Sequence, residues 1–149
     1  MQKRADYNRK YHEKRKNEDP NYIQKHYSRA VERMNSDPAS LAARRYSKQM
    51  SAAKNERGIP WDLDKEKTIK RITETKICNL SGRSLVFKIG HPDVPSIDRK
   101  NSKLGYTPRN IQITSAQINK SKGEMTDKEF VAMCRQVAEY HDSLPKMRR

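Results

Sequence analysis

At 149 residues, 33% hydrophobic and 34% charged, the chain has room for one domain plus an appendage, with any sizeable core confined to part of its length. A formal charge of +15 and a pI near 10.0 call for a polyanionic partner, nucleic acid before membrane, because no run of about 18 apolar residues is present and no signal-peptide apolar region follows the basic start. Two cysteines, Cys78 and Cys134, are too few for a disulfide framework and lack the paired spacing of a structural zinc site, so both are expected to be reduced core residues of a cytoplasmic protein and no structural zinc is expected.

Residues 1–57 carry 15 Lys/Arg against 7 Asp/Glu and five of the seven tyrosines, with almost no Val, Leu or Phe. Asp19-Pro20 and Asp37-Pro38 recur 18 residues apart, each pairing a helix-capping residue with a proline suited to the first helical position. The segment reads as two or three short helices in a loose repeat. Ile23, Tyr27, Val31 and Met34 share one helical face, and Ala42, Tyr46 and Met50 share another, while Lys25, Arg29, Arg33, Arg44, Arg45 and Lys48 fall opposite, where they can track phosphates. So few large apolar residues offset ordering entropy poorly, and the expectation is a basic helical DNA-binding segment that orders on DNA; solvated helices that are merely basic are the plain alternative.

Gly58 and Pro60 interrupt this pattern, and Ile59, Trp61 and Leu63 form the first dense apolar group, which sets a boundary before a domain over 58–145. Asp64 can cap a helix over about residues 65–75 with Ile69 and Ile72 inward. Trp61 reads as a core anchor rather than a base-stacking platform. Cys78 to Gly82 is a turn, and Ser84–Ile89 is strand-like by its β-branched and aromatic content.

Residues 95–122 follow one another as a short extended piece ending at Asp98, a polar loop with Asn101, Ser102, Gly105 and Pro108, an alternating strand at Asn110–Thr114, and a helix capped by Ser115. That helix would carry Asn119 on its second turn, with Ile118 facing the core and Lys120 and Lys122 outward. Folding the hairpin back under the helix would bring Asp98 and Asn119 together. Two oxygen ligands suit a hard cation, since magnesium takes one or two protein oxygens and leaves the rest of its shell to water and substrate phosphate. Thr126-Asp127-Lys128-Glu129 is a capping-box pattern opening a last helix, on which Phe130, Met133, Val137 and Tyr140 would cover the strand–helix unit as a lid. Residues 146–149 form a basic tail.

Cys78-Asn79-Leu80-Ser81-Gly82, Pro95-Ser96-Ile97-Asp98-Arg99, Gly105-Tyr106-Thr107, Asn110-Ile111-Gln112 and Asn119-Lys120-Ser121-Lys122 together resemble the HNH endonuclease superfamily with its ββα-metal fold, in its small bacteriophage form. The resemblance spans roughly residues 58–140. It implies an α+β fold, a metal ligand at Asp98, a loop-bracing role for Asn110, and a second metal ligand at Asn119, with magnesium or manganese as the cofactor. It also implies a bacterial host cytoplasm for a phage-encoded chain. One position departs from the pattern: the general-base His that usually follows the first ligand is Arg99 here, and an arginine stays protonated at neutral pH.

The function expected is therefore a DNA-binding, divalent-metal-dependent HNH-type endonuclease acting on double-stranded DNA. Arg99 would bond the scissile phosphate, His91 in the preceding loop is the candidate base, and Lys120 and Lys122 add phosphate contacts. The alternative is a weak or inactive protein of the same fold that regulates by binding DNA or another protein, as Arg99 in the base position would suit. An RNA-binding, ribosome-associated protein fits the charge but leaves Asp98, Asn110 and Asn119 unexplained.

Overall fold

Asp37 opens the helix that organises the core. Its carboxylate accepts from the Ala39 and Ser40 backbone N–H groups, and Pro38 supplies a first residue that needs no N–H partner. In the computed structural model, which describes residues 2–144 and side chains over 4–144, this helix is α3, Pro38–Ser51, after α1, Gln2–Glu18, and α2, Tyr22–Ser36. A π-helical turn at Ala52–Glu56 and α4, Lys65–Glu74, follow it. Then come β1, Pro95–Arg99, and β2, Ile111–Ser115, with α5, Ala116–Lys122, and α6, Asp127–Ser143. The class is α+β, and no helix among the described residues is long and apolar enough to cross a membrane.

β1 and β2 pair antiparallel with Ile97 opposite Ile113 and Asp98 opposite Gln112. All ten of their residues are buried, so the strand foreseen as half-buried at Asn110–Thr114 starts one residue later and is covered on both faces. The core joins Ala42 and Tyr46 of α3, Ala53 of the π-helical turn, Leu63, Ile72 of α4, Cys78, Leu85, Ile97, Tyr106, Ile111 and Ile113. Each large apolar side chain so buried contributes about 1.5–3 kcal/mol. Tyr46 also donates its hydroxyl to the Leu63 carbonyl at 2.8 Å, and Trp61 packs between the rings of Tyr46 and Tyr106, as a core anchor would.

The separation at residue 57 does not describe this packing. α3 lies against β1 and α4, and Arg45 Nε donates to the Pro95 carbonyl at 2.8 Å, so the second half of the basic segment is built into the core. What stands clear of it is α1 and most of α2. Along α2, Ile23 and Tyr27 are exposed, Val31 is half-buried and only Met34 is buried, so the apolar face is covered only at its C-terminal end. α1 has no apolar face and is tied to α2 by a bond between His12 Nδ1 and the Tyr22 hydroxyl, 2.8 Å, and by Lys25 donating to Asp19 at 2.9 Å.

Two other elements differ from expectation. Residues 84–89 keep the inward alternation of Leu85, Phe87 and Ile89 but form only an isolated bridge, Ile77 to Ser84, because the β2 edge is taken by Asn79, whose N–H donates to Ile113 and whose side chain accepts from it. α6 has the capping box at Thr126 and Glu129 but buries only Phe130. Met133, Val137, Tyr140 and Cys134 are exposed, so α6 leaves the body after its first turn and is no lid, and Cys134 is no core residue. The basic tail at 146–149 lies outside the described residues.

Candidate functional site

The β1–β2 connection is held open by side chains that satisfy its own backbone. Asn110 accepts from the Asn101 N–H at 3.1 Å and donates to the carbonyls of Asn101 and Gly105 at 3.0 and 2.9 Å. Arg99, buried, donates to the carbonyls of Ser102 and Leu104 at 2.5 and 3.0 Å, lies 5.2 Å from the centre of the Tyr106 ring, and pairs with Glu124 at 3.4 Å. Gly105 permits the close approach of the loop to residue 60: a Cβ there would sit 2.8 Å from the Pro60 carbonyl oxygen, which accepts the Tyr106 N–H.

These contacts frame a small polar cleft of about 50 Å³ lined by Asp98, Asn119, Arg99, Glu124 and Arg57, among others. Asp98, at the end of β1, is 3% exposed. Behind it, away from the cleft lining, Lys122 donates to its Oδ1 at 3.2 Å and Gln112 donates to its Oδ2 at 2.9 Å. Gln112 and Lys122 both reach Asp127 as well, at 2.9 and 3.5 Å, and the Lys122 ammonium donates to the Arg99 carbonyl at 2.6 Å. Burial pushes the Asp98 carboxyl above the ordinary carboxylate range, against the opposing pull of the Gln112 hydrogen bond and the Lys122 charge.

Asn119 donates its side-chain NH₂ to Ser96 Oγ at 2.8 Å and to the Ile97 carbonyl at 3.2 Å. That pair of bonds fixes the amide plane, and no donor among the described residues reaches its Oδ1. Asp98 and Asn119, expected to share a site, thus line one cleft and bring a carboxylate and an amide oxygen to it, with the Glu124 carboxylate in the same lining. Among the described residues no three His, Cys, Asp or Glu side chains gather into a cage. A donor set this sparse suits a cation that completes its shell with water and phosphate.

Comparison of the chain with family models, curated proteins and solved structures gives no match.

The remaining expected residues divide into several groups. His91 lies in the turn before β1, where its Nδ1 accepts from the Asp93 N–H at 3.0 Å, and it does not line the cleft. Lys122 is wholly buried rather than outward, because the short helix turns its second basic side chain onto Asp98 and Asp127. Arg99 borders the cleft, but one terminal nitrogen of its fork is given to the Ser102 and Leu104 carbonyls of its own loop and the other reaches Glu124. Arg29, Arg33, Arg44, Lys48 and Lys120 are exposed; Lys25 is exposed and paired with Asp19; Arg45 is half-buried. Arg57, Glu124 and Gln49 were not foreseen. Arg57 and Gln49 reach the cleft by donating to the Tyr106 hydroxyl at 3.3 and 2.8 Å, a convergence of residues nearly 50 or more positions apart that no local pattern announces.

Proposed function

We propose that the protein is a divalent-metal-dependent DNA endonuclease of the HNH type, with Asp98 and Asn119 as the residues that hold magnesium or manganese. The observation that supports this reading is the pairing of the Asp98 carboxylate with the unpartnered Asn119 Oδ1 in one polar cleft. The cation, when bound, would supply Lewis-acid stabilisation of the charge that develops on the phosphate and its leaving oxygen.

The chain's own residues do the rest. Lys122 and Gln112 grip Asp98 from behind, so its carboxylate keeps one orientation toward the cleft. Ser96 and the Ile97 carbonyl do the same for Asn119. Arg57, exposed at the cleft and anchored on Tyr106, is placed to bond a phosphate oxygen, the task that Arg99 gives up to its loop. With no imidazole in the lining, Glu124 is the one carboxylate there besides Asp98, and its side chain is 79% exposed, so it is the group left to accept a proton from attacking water.

The test is nicking of supercoiled plasmid by the purified chain with magnesium, with manganese and with chelator. The wild type should nick only with metal. Asn119→Ala should abolish nicking while DNA affinity and cooperative folding are kept. Asp98→Asn should abolish it too but also lower the melting temperature, because it removes a counter-charge of the buried Lys122 ammonium. Glu124→Gln should slow nicking on the order of 100-fold or more. Full activity in both ligand variants would remove the metal assignment. A wild type that binds DNA but never nicks would favour the regulator reading, which the absence of an imidazole and the neutralising Lys122 ammonium support.

A further inference from the structure

A second cavity, of about 230 Å³, lies between α3 and the turn that leads into β1. Its walls are Arg44, Arg45 and Lys48 from α3 and the Ile89-Gly90 turn, over a floor of Leu41 and Val94. The three cations have no carboxylate partner among the described residues. Arg45 is half-buried, and its single protein hydrogen bond, from Nε to the Pro95 carbonyl, leaves both terminal nitrogens of the fork free. A cation desolvated without a counter-charge is costly, and burial lowers the Arg45 pKa accordingly.

Gly90 adds a backbone donor. It turns the chain in the left-handed region, at φ 82°, and no acceptor among the described residues takes its N–H. The space is below the usual range of about 300–1,000 Å³ for a small-molecule site and well above the roughly 30 Å³ share of one water. It suits one phosphate group with its hydration, held by an arginine fork, two further cations and an amide.

We propose that this cavity is a phosphate-binding pocket that grips the DNA backbone beside the phosphate held in the cleft. Its position along α3 supports a diester of the same duplex over a free anion. Arg45 meets Pro95, and Gln49, one helical turn further along α3, lines the cleft with Asp98. One turn advances about 5–6 Å, and three strand residues span about 10 Å. At about 3.4 Å of axial rise per nucleotide, pocket and cleft would engage phosphates about two to three steps apart. The apolar floor of Leu41 and Val94 would meet sugar carbons that inorganic phosphate lacks.

The proposal takes its DNA partner from the reading above but needs neither metal nor cleavage. The experiment measures duplex binding by the full chain in chelator, across a salt series, together with the Gly90 amide resonance. Arg44→Gln/Lys48→Gln, both at exposed positions, should weaken binding on the order of ten-fold and flatten the slope of log affinity against log salt by about 0.9, the share of one phosphate. The charge-matched Lys65→Gln/Lys67→Gln on α4 should change the slope less. The Gly90 amide should shift with duplex at concentrations where inorganic phosphate leaves it unmoved. Equal effects of the two double variants, a Gly90 amide indifferent to duplex, or its saturation by inorganic phosphate alone would each overturn the proposal. A wild type that fails to nick with magnesium or manganese while these binding results hold would defeat the nuclease reading and leave the pocket standing.

Discussion

Lys122 ties stability to the cleft, since its buried ammonium sits on Asp98. A lysine taken wholly out of water is tolerable only because Asp98, Asp127 and the Arg99 carbonyl surround its ammonium. Lys122→Met should therefore cost about 3–5 kcal/mol in urea unfolding at neutral pH, by stranding the Asp98 carboxylate, whereas an outward lysine would cost within about 0.5 kcal/mol. Asp98 also sets a pH dependence. Its pKa is raised in the folded state, chiefly by burial, so the native protein holds that proton longer than the unfolded chain. The contribution is full below the ordinary carboxylate pKa, near 3.9, and is lost as pH rises through the raised value. Denaturation midpoints of the metal-free protein measured upward from that range should carry this falling limb, and Asp98→Asn should lack it. Asp37 runs the other way: the Ser40 hydroxyl and the Ala39 N–H hold its carboxyl below the usual range, so its support of α3 is present above the ordinary pKa and fades as pH falls through the lowered one.

At the level of elements, local chemistry was legible and partners were not. The caps at Asp37, Asp64, Ser115 and Thr126 lie where their side chains predict, because a cap is decided within four residues. The same holds for Asn110, which bonds its own loop. Asp19-Pro20, by contrast, does not open α2: that helix starts at Tyr22 after Asn21, and the Asp19 carboxylate accepts from the Asn21 N–H and the Lys25 ammonium in the turn before it. Residues 84–89 have the composition of a strand and its alternation, yet a strand needs a free edge, and the edge of β2 is closed by Asn79. Periodicity likewise gives α6 an apolar stripe but cannot say what covers it. Beyond Phe130 the stripe touches little, so truncation after Arg135 should leave the melting temperature nearly unchanged, whereas Phe130→Ala should lower stability by about 3 kcal/mol or more. A large loss on truncation would mean that the distal half of α6 packs on the body in solution.

Across the whole molecule, the basic charge belongs to two regions with different duties. α1 has seven Lys/Arg against three Asp/Glu and lies on the surface throughout its described side chains. α3, with three Lys/Arg and no acidic residue, supplies Leu41, Ala42 and Tyr46 to the interior. Composition averages the two and reads residues 1–57 as one loose segment; only the i, i+4 placement of Ala42, Tyr46 and Met50 hinted that α3 had an inner face. The site shows the same limit, since Asp98 and Asn119 fall within one short unit while Arg57 and Gln49 arrive from across the fold. Deleting residues 1–20 should preserve cooperative unfolding and flatten the salt dependence of DNA binding by several units, at about 0.9 for each phosphate no longer neutralised. Deleting 1–57 should abolish folding by removing α3. Retained cooperative unfolding in the longer deletion would show that the core does not need that helix.

The joining of α3 to a hairpin some 50 residues downstream, tied by the bond from Arg45 to Pro95, also has a consequence for biosynthesis. A ribosome adding about 5–20 residues per second needs several seconds to travel from Tyr46 to Ile113. For that interval Ala42 and Tyr46 lack the hairpin side chains Ile97, Ile111 and Ile113 that complete their side of the core, on a nascent helix whose other face is positively charged. The newborn chain is thus an amphipathic basic peptide, held beside the polyanionic surface of the ribosome, before it is a folded protein.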